Sequence, residues 1–376
     1  MAYNWQQKDW PRFKYELQEI DDTLFAFAEE TGRIRGMLNA MPDEMQTAAI
    51  IDTMVAEAIK TSEIEGEYLS RQDVMSSIRG NLGVDTKPAL VKDKKAQGIG
   101  DLMVDVRKSY LEPLTEEKLF EWHRMLMTGS KGITTGAWRF HESPMQVISG
   151  ALGNEKVHFE APPSAQVPME MKQFIDWFND TAPGGKKEIK KAPIRSAIAH
   201  LYFETIHPFE DGNGRIGRAI AEKALSQTLG NPVLLSLSRI IEADKKSYYA
   251  ALEQAQRSNQ ITAWVKYFVG AALAAQKQAN ELIDFTLKKT KFFDRFKKEM
   301  NERQAKAVRK MLEAGPEGFT GGMNASKYIS ITKTSKATAT RDLQHLSEMG
   351  VLLAQGGGRS TRYFLNLDLY RAACNQ

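Results

Sequence analysis

His207-Pro208-Phe209-Glu210-Asp211-Gly212-Asn213-Gly214-Arg215-Ile216-Gly217-Arg218 is the stretch that decides how this chain is read. Pro208 and the triplet Gly212-Asn213-Gly214 forbid one continuous helix from Ile206 into Ile216, so a tight loop must join two helices, the second starting near Gly214. Two glycines flanking Asn213 let consecutive backbone N–H groups turn inward at a helix N-terminus, making a concave site for phosphate oxygens. Arg215 and Arg218, three apart, share one helix face and can reach a bound polyphosphate. Asp211 beside such a nest has an obvious use as a magnesium ligand, because Mg²⁺ takes few carboxylates together with phosphates and water. His207 is the local group that titrates near neutrality and suits a general base.

Three other readings compete. Gly212-x-Gly214-x-x-Gly217 formally matches the dinucleotide-binding fingerprint, but that motif follows a strand, and Ala197 to Ile206 reads as helix. A zinc-protease helix fails as well: Met145 stands where the second His after His141-Glu142 belongs, and no Glu motif joins His200 to His207. A merely capped helix entrance explains the glycines and Asn213, but not His207, Asp211 and both arginines together.

Working outward, helical patterns run over 166–180, 193–206, 214–229 and about 244–258, then from Ile261 to Ala314, where a break is expected near Lys288 to Phe293. Upstream, residues 1–85 read as an aromatic-rich helical module, with Leu17, Ile20, Leu24 and Phe27 at helical spacing and a second face through Ile50, Ile51, Met54, Val55 and Ala58. Ser70 looks like an N-cap for a helix ending at Gly80 to Gly83, and another helix starts after Thr115. Between Gly136 and Pro163 the helical period gives way to Met145 to Ser149, a Gly-Ala-Leu-Gly-Asn turn and Lys156-Val157-His158-Phe159, which reads as a β-hairpin. Downstream, short helices over 324–330 and 335–349 precede strands at 351–353 and 361–365, a winged-helix order. The expected fold is mainly α, in three parts: 1–85, a core at 86–290, and 291–376.

Composition excludes several classes. The chain of 376 residues is 42% hydrophobic and ordinary for a globular protein. Its longest apolar run, near Val265 to Ala275, is too short to span a bilayer. No basic-then-apolar leader opens the sequence, so the expected location is cytoplasmic with no membrane partner. The lone Cys374 excludes an intrachain disulfide. Net charge is +4, but residues 301–376 carry 11 Lys and Arg against 6 Asp and Glu, so any nucleic-acid contact belongs there.

The segment His207 to Arg218 resembles the signature of the Fic family, H-P-F-x-[DE]-G-N-G-R-x-x-R, at every fixed position. The resemblance implies a compact helical core with a β-hairpin flap, from about Leu114 to Phe268, that transfers AMP from ATP to a protein hydroxyl. His207 would be the base, Asp211 would hold Mg²⁺, and Gly212, Asn213 and Gly214 would supply the anion nest. Arg215 and Arg218 would neutralise the β- and γ-phosphates, and Phe209 would pack inward and fix the loop. Gly214 stands where the related Doc kinases have Lys, which favours AMP transfer over phosphorylation. Lys156, Val157, His158 and Phe159 match the flap strand that registers a target peptide by edge pairing. Tyr248 and Gln256 sit where the family lines the base and ribose.

Thr61-Ser62-Glu63-Ile64-Glu65-Gly66 resembles the family's inhibitory helix motif, [ST]-x-x-x-E-[GN]. A carboxylate at Glu65 would pair with Arg218 and displace the γ-phosphate. The helix from Ser335 to Leu343, with Arg341 and the wing residues Arg359 and Arg362, resembles winged-helix recognition elements that contact DNA or protein. The expectation is therefore an autoinhibited protein adenylyltransferase acting on Ser, Thr or Tyr hydroxyls of a target or of itself, with ATP as substrate. Its alternatives are a DNA-binding regulator using the core as a nucleotide sensor, and a remover of AMP using the same pocket. Target identity and oligomeric state, including a homodimer, stay open.

Overall fold

The computed structural model describes residues 2–85, 90–149, 156–315 and 318–367. In chain order the helices are α1 (Asp21–Asn39), α2 (Asp43–Ile64), α3 (Arg71–Leu82), α4 (Lys94–Lys108), α5 (Glu116–Leu126), α6 (Val167–Asp180), α7 (Ala192–Ile206), α8 (Asn213–Leu229), α9 (Leu237–Ala243), α10 (Lys245–Ala255), α11 (Thr262–Phe296), α12 (Glu302–Leu312), α13 (Ala325–Thr332) and α14 (Lys336–Glu348). The strands form two antiparallel hairpins, β1 (Gln146–Ser149) with β2 (Lys156–Glu160), and β3 (Leu352–Gln355) with β4 (Arg362–Leu365). The fold is mainly α, as expected. Among the described residues no helix is long and apolar enough to cross a membrane.

Packing divides the chain into two compact units, 1–36 with 42–279, and 37–41 with 280–376. In the first unit α7 is the central rod: all its residues are buried, which is why its sequence is apolar on every face rather than striped. Pro193 opens it, where a missing N–H costs nothing. Helices α2, α3 and α4 contribute Val55, Ile78 and Leu102 to the same core as Trp122, Phe174, Tyr202 and Phe209. The N-terminal helices are thus one packing unit with the core, and residue 85 is not a packing boundary.

Local signals placed several ends correctly. Ser70 accepts from Asp73 N, Thr115 from Lys118 N, Asn324 from Lys327 N and Ser335 from Thr338 N, each satisfying an orphan amide of the first turn. Other expectations need correction. Leu17 is exposed and precedes α1, and residues 2–20 form a strap rather than a helix, apart from a 3-10 turn at Asn4–Gln6. Bulky aromatics hold that strap: Trp10 and Phe13 meet the Tyr202 ring edge-on at 5.1 and 5.6 Å. No break occurs between Lys288 and Phe293. The buried Phe285, Phe292 and Phe296 continue the apolar stripe of α11, and the chain turns only at 297–301, where Asn301 and Gln304 form a capping box. Helices α4 and α9 were not foreseen. The hairpin turn at 150–154 and Cys374 lie outside the described residues.

The second unit packs α12, α13, α14 and the β3–β4 hairpin around Val308, Met311, Tyr328, Leu343 and Leu346, in the element order expected from the sequence. Asp342 ties it internally, accepting from Tyr328 Oη at 2.9 Å and Arg303 Nε at 3.1 Å.

Candidate active site

The loop between α7 and α8 is built by two left-handed turns. His207 ends α7 at φ 50° and Gly212 opens α8 at φ 83°. Gly212 adopts that conformation without cost, whereas His207 adopts it against the usual penalty on a side chain. Asn213 locks the intervening residues, its Oδ1 accepting from Phe209 N and its Nδ2 donating to Phe209 O, both at 2.9 Å. Phe209 is fully buried and stacks on His123, ring centroids 4.1 Å apart. His123 Nδ1 accepts from Gly136 N, so its proton lies on Nε2, which donates to Asp211 O at 3.2 Å. Burial lowers the pKa of His123 and keeps this neutral form.

Arg139, buried at 3% exposure, fastens the other side of the loop. It donates to His207 O at 2.8 Å, Ile206 O at 3.2 Å, Pro162 O at 2.5 Å and Ser164 Oγ at 2.8 Å. Burial alone pulls its pKa down to about 10, still protonated at neutrality. One guanidinium thus joins the motif loop to the segment that follows the flap.

These fixings leave a concave anion site. At the start of α8 the amides of Asn213, Gly214 and Arg215 have no acceptor among the described residues, while Ile216 N bonds back to Gly212 O. The nest is shifted one residue along the chain from the expected 212–214, because Gly212 N donates to Asp211 Oδ1 at 2.6 Å while Arg215 N stays free. The Asn213 side chain is likewise committed to Phe209 and contributes only its amide.

Two carboxylates cover the arginines. Arg218, 2% exposed, donates Nη2 to Glu65 Oε1 at 2.7 Å and Nε to Thr61 Oγ1 at 2.7 Å, so the hydroxyl and carboxylate positions of the 61–66 pattern grip one side chain. Burial opposes its charge, but Glu65, Tyr248 and Glu204 raise its pKa on balance. Glu65 is the residue that ends α2, and Gly66 at φ 78° turns the chain away. Arg215 is held by Glu67 Oε2 at 2.5 Å, and Glu67 is held in turn by Lys95 Nζ at 2.6 Å. A Cβ at Gly214 would run into the Glu65 carboxylate, so glycine there is what lets the carboxylate sit against α8.

His207 lies at the rim, its side chain 19% exposed. Burial first, and Arg139 second, push its pKa down to about 4, so the imidazole is neutral at physiological pH. Asp211 is 56% exposed and weakly paired with Arg215 Nη2 at 3.6 Å. Among the described residues no three ligating side chains converge on a metal. A single exposed carboxylate beside free amides fits an ion that takes its remaining ligands from phosphates and water.

Other expected residues fall elsewhere. Tyr248 is buried, its hydroxyl 2.7 Å from His200 Nε2, and Gln256 is buried with Nε2 donating to Glu204 O at 3.3 Å. Each side chain bonds to a residue of α7. On the flap, Lys156 and Val157 are exposed, His158 Nδ1 pairs with Glu253 at 3.1 Å, and Phe159 turns inward against Tyr3. Phe159 therefore anchors the hairpin through its side chain. Arg139, His123, Glu67 and Glu204 were missed. Glu204 could have been found at one helical turn before His207, and Glu67 two residues after Glu65; the other two are distant in sequence.

Residues 113–225 match the Fic/DOC family. That stretch is a Fic domain. The segment before the Fic domain, residues 3–84, matches a second family described only as a domain of unknown function, DUF4172. The chain is 31% identical over 152 residues to a probable protein adenylyltransferase of Aquifex aeolicus, covering 40% of each. It is 29% identical over 146 residues to the protein adenylyltransferase fic-1 of Caenorhabditis elegans, covering 38% of this chain and 24% of that one. The matched stretches span under half the length of these relatives. A Fic family protein from Desulfovibrio desulfuricans shares the fold, with a TM-score of 0.55 at 20% identity over 94% of this chain and 98% of the other.

Proposed function

We propose that the chain is a protein adenylyltransferase that moves AMP from ATP to a Ser, Thr or Tyr hydroxyl of a protein, itself included, and is restrained by Glu65. One observation carries this reading: three acceptor-free amides at residues 213–215 share a helix end with two buried arginines whose counter-ions, Glu65 and Glu67, come from outside the motif. A polyphosphate can replace those carboxylates in kind, since each is a charge-assisted hydrogen-bond acceptor.

In the working site the target hydroxyl gives its proton to His207 Nε2 while its oxygen bonds to the α-phosphorus. The bond from that phosphorus to the β-phosphate oxygen breaks, and pyrophosphate leaves. Arg215 and Arg218 carry the charge of the departing phosphates, and the amides of 213–215 bind phosphate oxygens. Asp211 would hold Mg²⁺, which would supply further neutralisation of phosphate charge. The nearby polyphosphate raises the low pKa of His207 toward neutrality, improving it as a base. Gly214 leaves room at the nest. The exposed Lys156 and Val157 of β2 are placed to meet an extended target strand.

The C-terminal unit is proposed to contact duplex DNA through α14, where Lys336, Thr340, Arg341 and Gln344 form one exposed polar face. Salt-dependent retention of a duplex by the full chain, lost on Arg341→Ala, would support this, and no retention at low salt would overturn it.

The transfer reaction is tested by incubating the Glu65→Gly variant with Mg²⁺ and ATP labelled at either the α or the γ phosphate. Protein labelled from the α position only supports adenylyl transfer. Labelling from γ, or none from either, contradicts it.

A further inference from the structure

Behind His207 lies a group of polar side chains that the transfer scheme leaves without a role. Glu204 stands one turn earlier on α7 and is 5% exposed. Its Oε2 lies 3.9 Å from His207 Nδ1, and its Oε1 has no hydrogen-bond partner. His200, one further turn back and fully buried, also has an unpartnered Nδ1, while its Nε2 meets Tyr248 Oη at 2.7 Å. Both unpartnered atoms face Gly217, where a Cβ would collide with Glu204 Oε1 and come within 3.2 Å of His200 Nδ1. Gly217 is therefore what lets α8 close over this carboxyl. A buried carboxyl oxygen without a partner is costly, so its presence beside the motif imidazole calls for a use.

We propose that Glu204 is the positioning residue of His207, accepting from Nδ1–H so that the ring keeps Nε2 as its free base and the imidazolium is stabilised when the target proton arrives. This rests on the adenylyltransferase reading above. The proton stays on Nε2 in this scheme, and Glu204 neither takes it nor touches substrate. A carboxyl that fixes the tautomer of a base from its far side is a general arrangement for activating imidazole. His207 Nδ1 already faces Glu204, whose backbone carbonyl favours the protonated ring, and the approach of Oε2 by about 1 Å, the gap between 3.9 Å and an ordinary hydrogen bond, completes the contact.

Several charged groups decide the state of Glu204. From α8 the Arg218 guanidinium favours its ionised form; from the end of α2 the Glu65 carboxylate opposes it; Tyr248 faces it from α10, and His200 and His207 flank it on α7. Burial dominates and pushes the carboxyl up to about 8. As a neutral acid it still offers Nδ1–H a carbonyl oxygen.

The test uses the full chain with Glu65→Gly as the active background and adds Glu204→Gln, which keeps shape, or Glu204→Leu. Two readouts are taken: AMP-transfer kinetics across pH, and the ring tautomer of His207 from ¹⁵N-histidine NMR, which needs no activity. Expected are a kcat lower by about 10- to 100-fold in Glu204→Leu with the KM for ATP unchanged, below the loss on removing a base outright. The Nδ1–H form of His207 should be dominant in the parent and reduced in Glu204→Leu, where only the backbone carbonyl of residue 204 remains to accept from it, and Glu204→Gln, whose amide oxygen can still accept, should recover most of kcat with a flatter pH profile. An unchanged His207 tautomer in Glu204→Leu overturns the positioning role. If the background transfers no AMP at all, the function proposed above fails, and the tautomer alone decides the role of Glu204.

Discussion

Glu65 Oε1 and Arg218 Nη2 lie 2.7 Å apart, and Thr61 holds the same guanidinium at 2.7 Å through Nε. The contact makes the carboxylate at the end of α2 the counter-ion of the innermost motif arginine. On the function proposed above, a phosphate group that binds Arg218 would have to displace Glu65, so the pair would act as a competitor.

From this competition follows a binding order. Glu65→Gly should tighten ATP binding at least about tenfold, roughly 1.4 kcal/mol, by isothermal titration calorimetry. Glu67→Ala should tighten it less, because Glu67 is partly exposed and its pair with Arg215 is shared with Lys95. Equal affinities in the parent and both variants would show that neither carboxylate competes.

Gly214→Ala tests the same pair without ATP. The added methyl meets the far end of the Glu65 side chain, which can swing aside, so the protein should fold but lose the ion pair. In the parent the change should be neutral or destabilising. With Glu65→Gly already present it should stabilise by about 0.5–1 kcal/mol, the usual gain of Ala over Gly within a helix. Identical effects in both backgrounds would separate Gly214 from Glu65.

Arg139→Lys should unfold at lower denaturant, by about 2–4 kcal/mol. A lysine cannot serve the carbonyls of His207, Ile206 and Pro162 together with the Ser164 hydroxyl. A midpoint within error of the parent would contradict its role as the fastening of the loop.

Glu222 gives a pH test away from the site. Burial, then Glu57, raise its carboxyl from an ordinary 4.5 to about 8, so folding favours the protonated form. Its contribution is full below about 4.5 and is lost as pH climbs through about 8. Glu222→Gln cannot ionise, so its advantage in stability over the parent should grow between pH 5 and pH 8, by up to about 4 kcal/mol. A constant difference across that range would show that Glu222 ionises in the fold as it does in water.

What the sequence made legible is what depends on neighbours within a few residues. The loop from His207 to Arg218, the caps at Ser70, Thr115, Asn324 and Ser335, and the hairpins all follow from local chemistry. The pairing of Glu65 with Arg218 joins segments 153 residues apart and was legible only through the resemblance of 61–66 to a known motif. Arg139 and His123 act on the loop from 68 and 88 residues away, and nothing in their own surroundings marks them. The end of α11 was misplaced because Phe292 and Phe296 bury against the C-terminal core, and that tertiary packing carries the helix past the point where length alone argued for a stop. Tyr248 and Gln256, expected to line the base and ribose, are buried beside His200 and the Glu204 carbonyl, neighbours that their local sequence does not mark.

The most direct measurement is the initial rate of label transfer from α-labelled ATP to protein by the parent, Glu65→Gly, and Glu65→Gly with His207→Ala. The account expects a low rate in the parent, a rise of about tenfold or more on removing Glu65, and loss of that gained activity by about 10²–10⁴-fold when His207 is also removed. Equal rates in parent and Glu65→Gly, or a double variant as active as the single one, would contradict it.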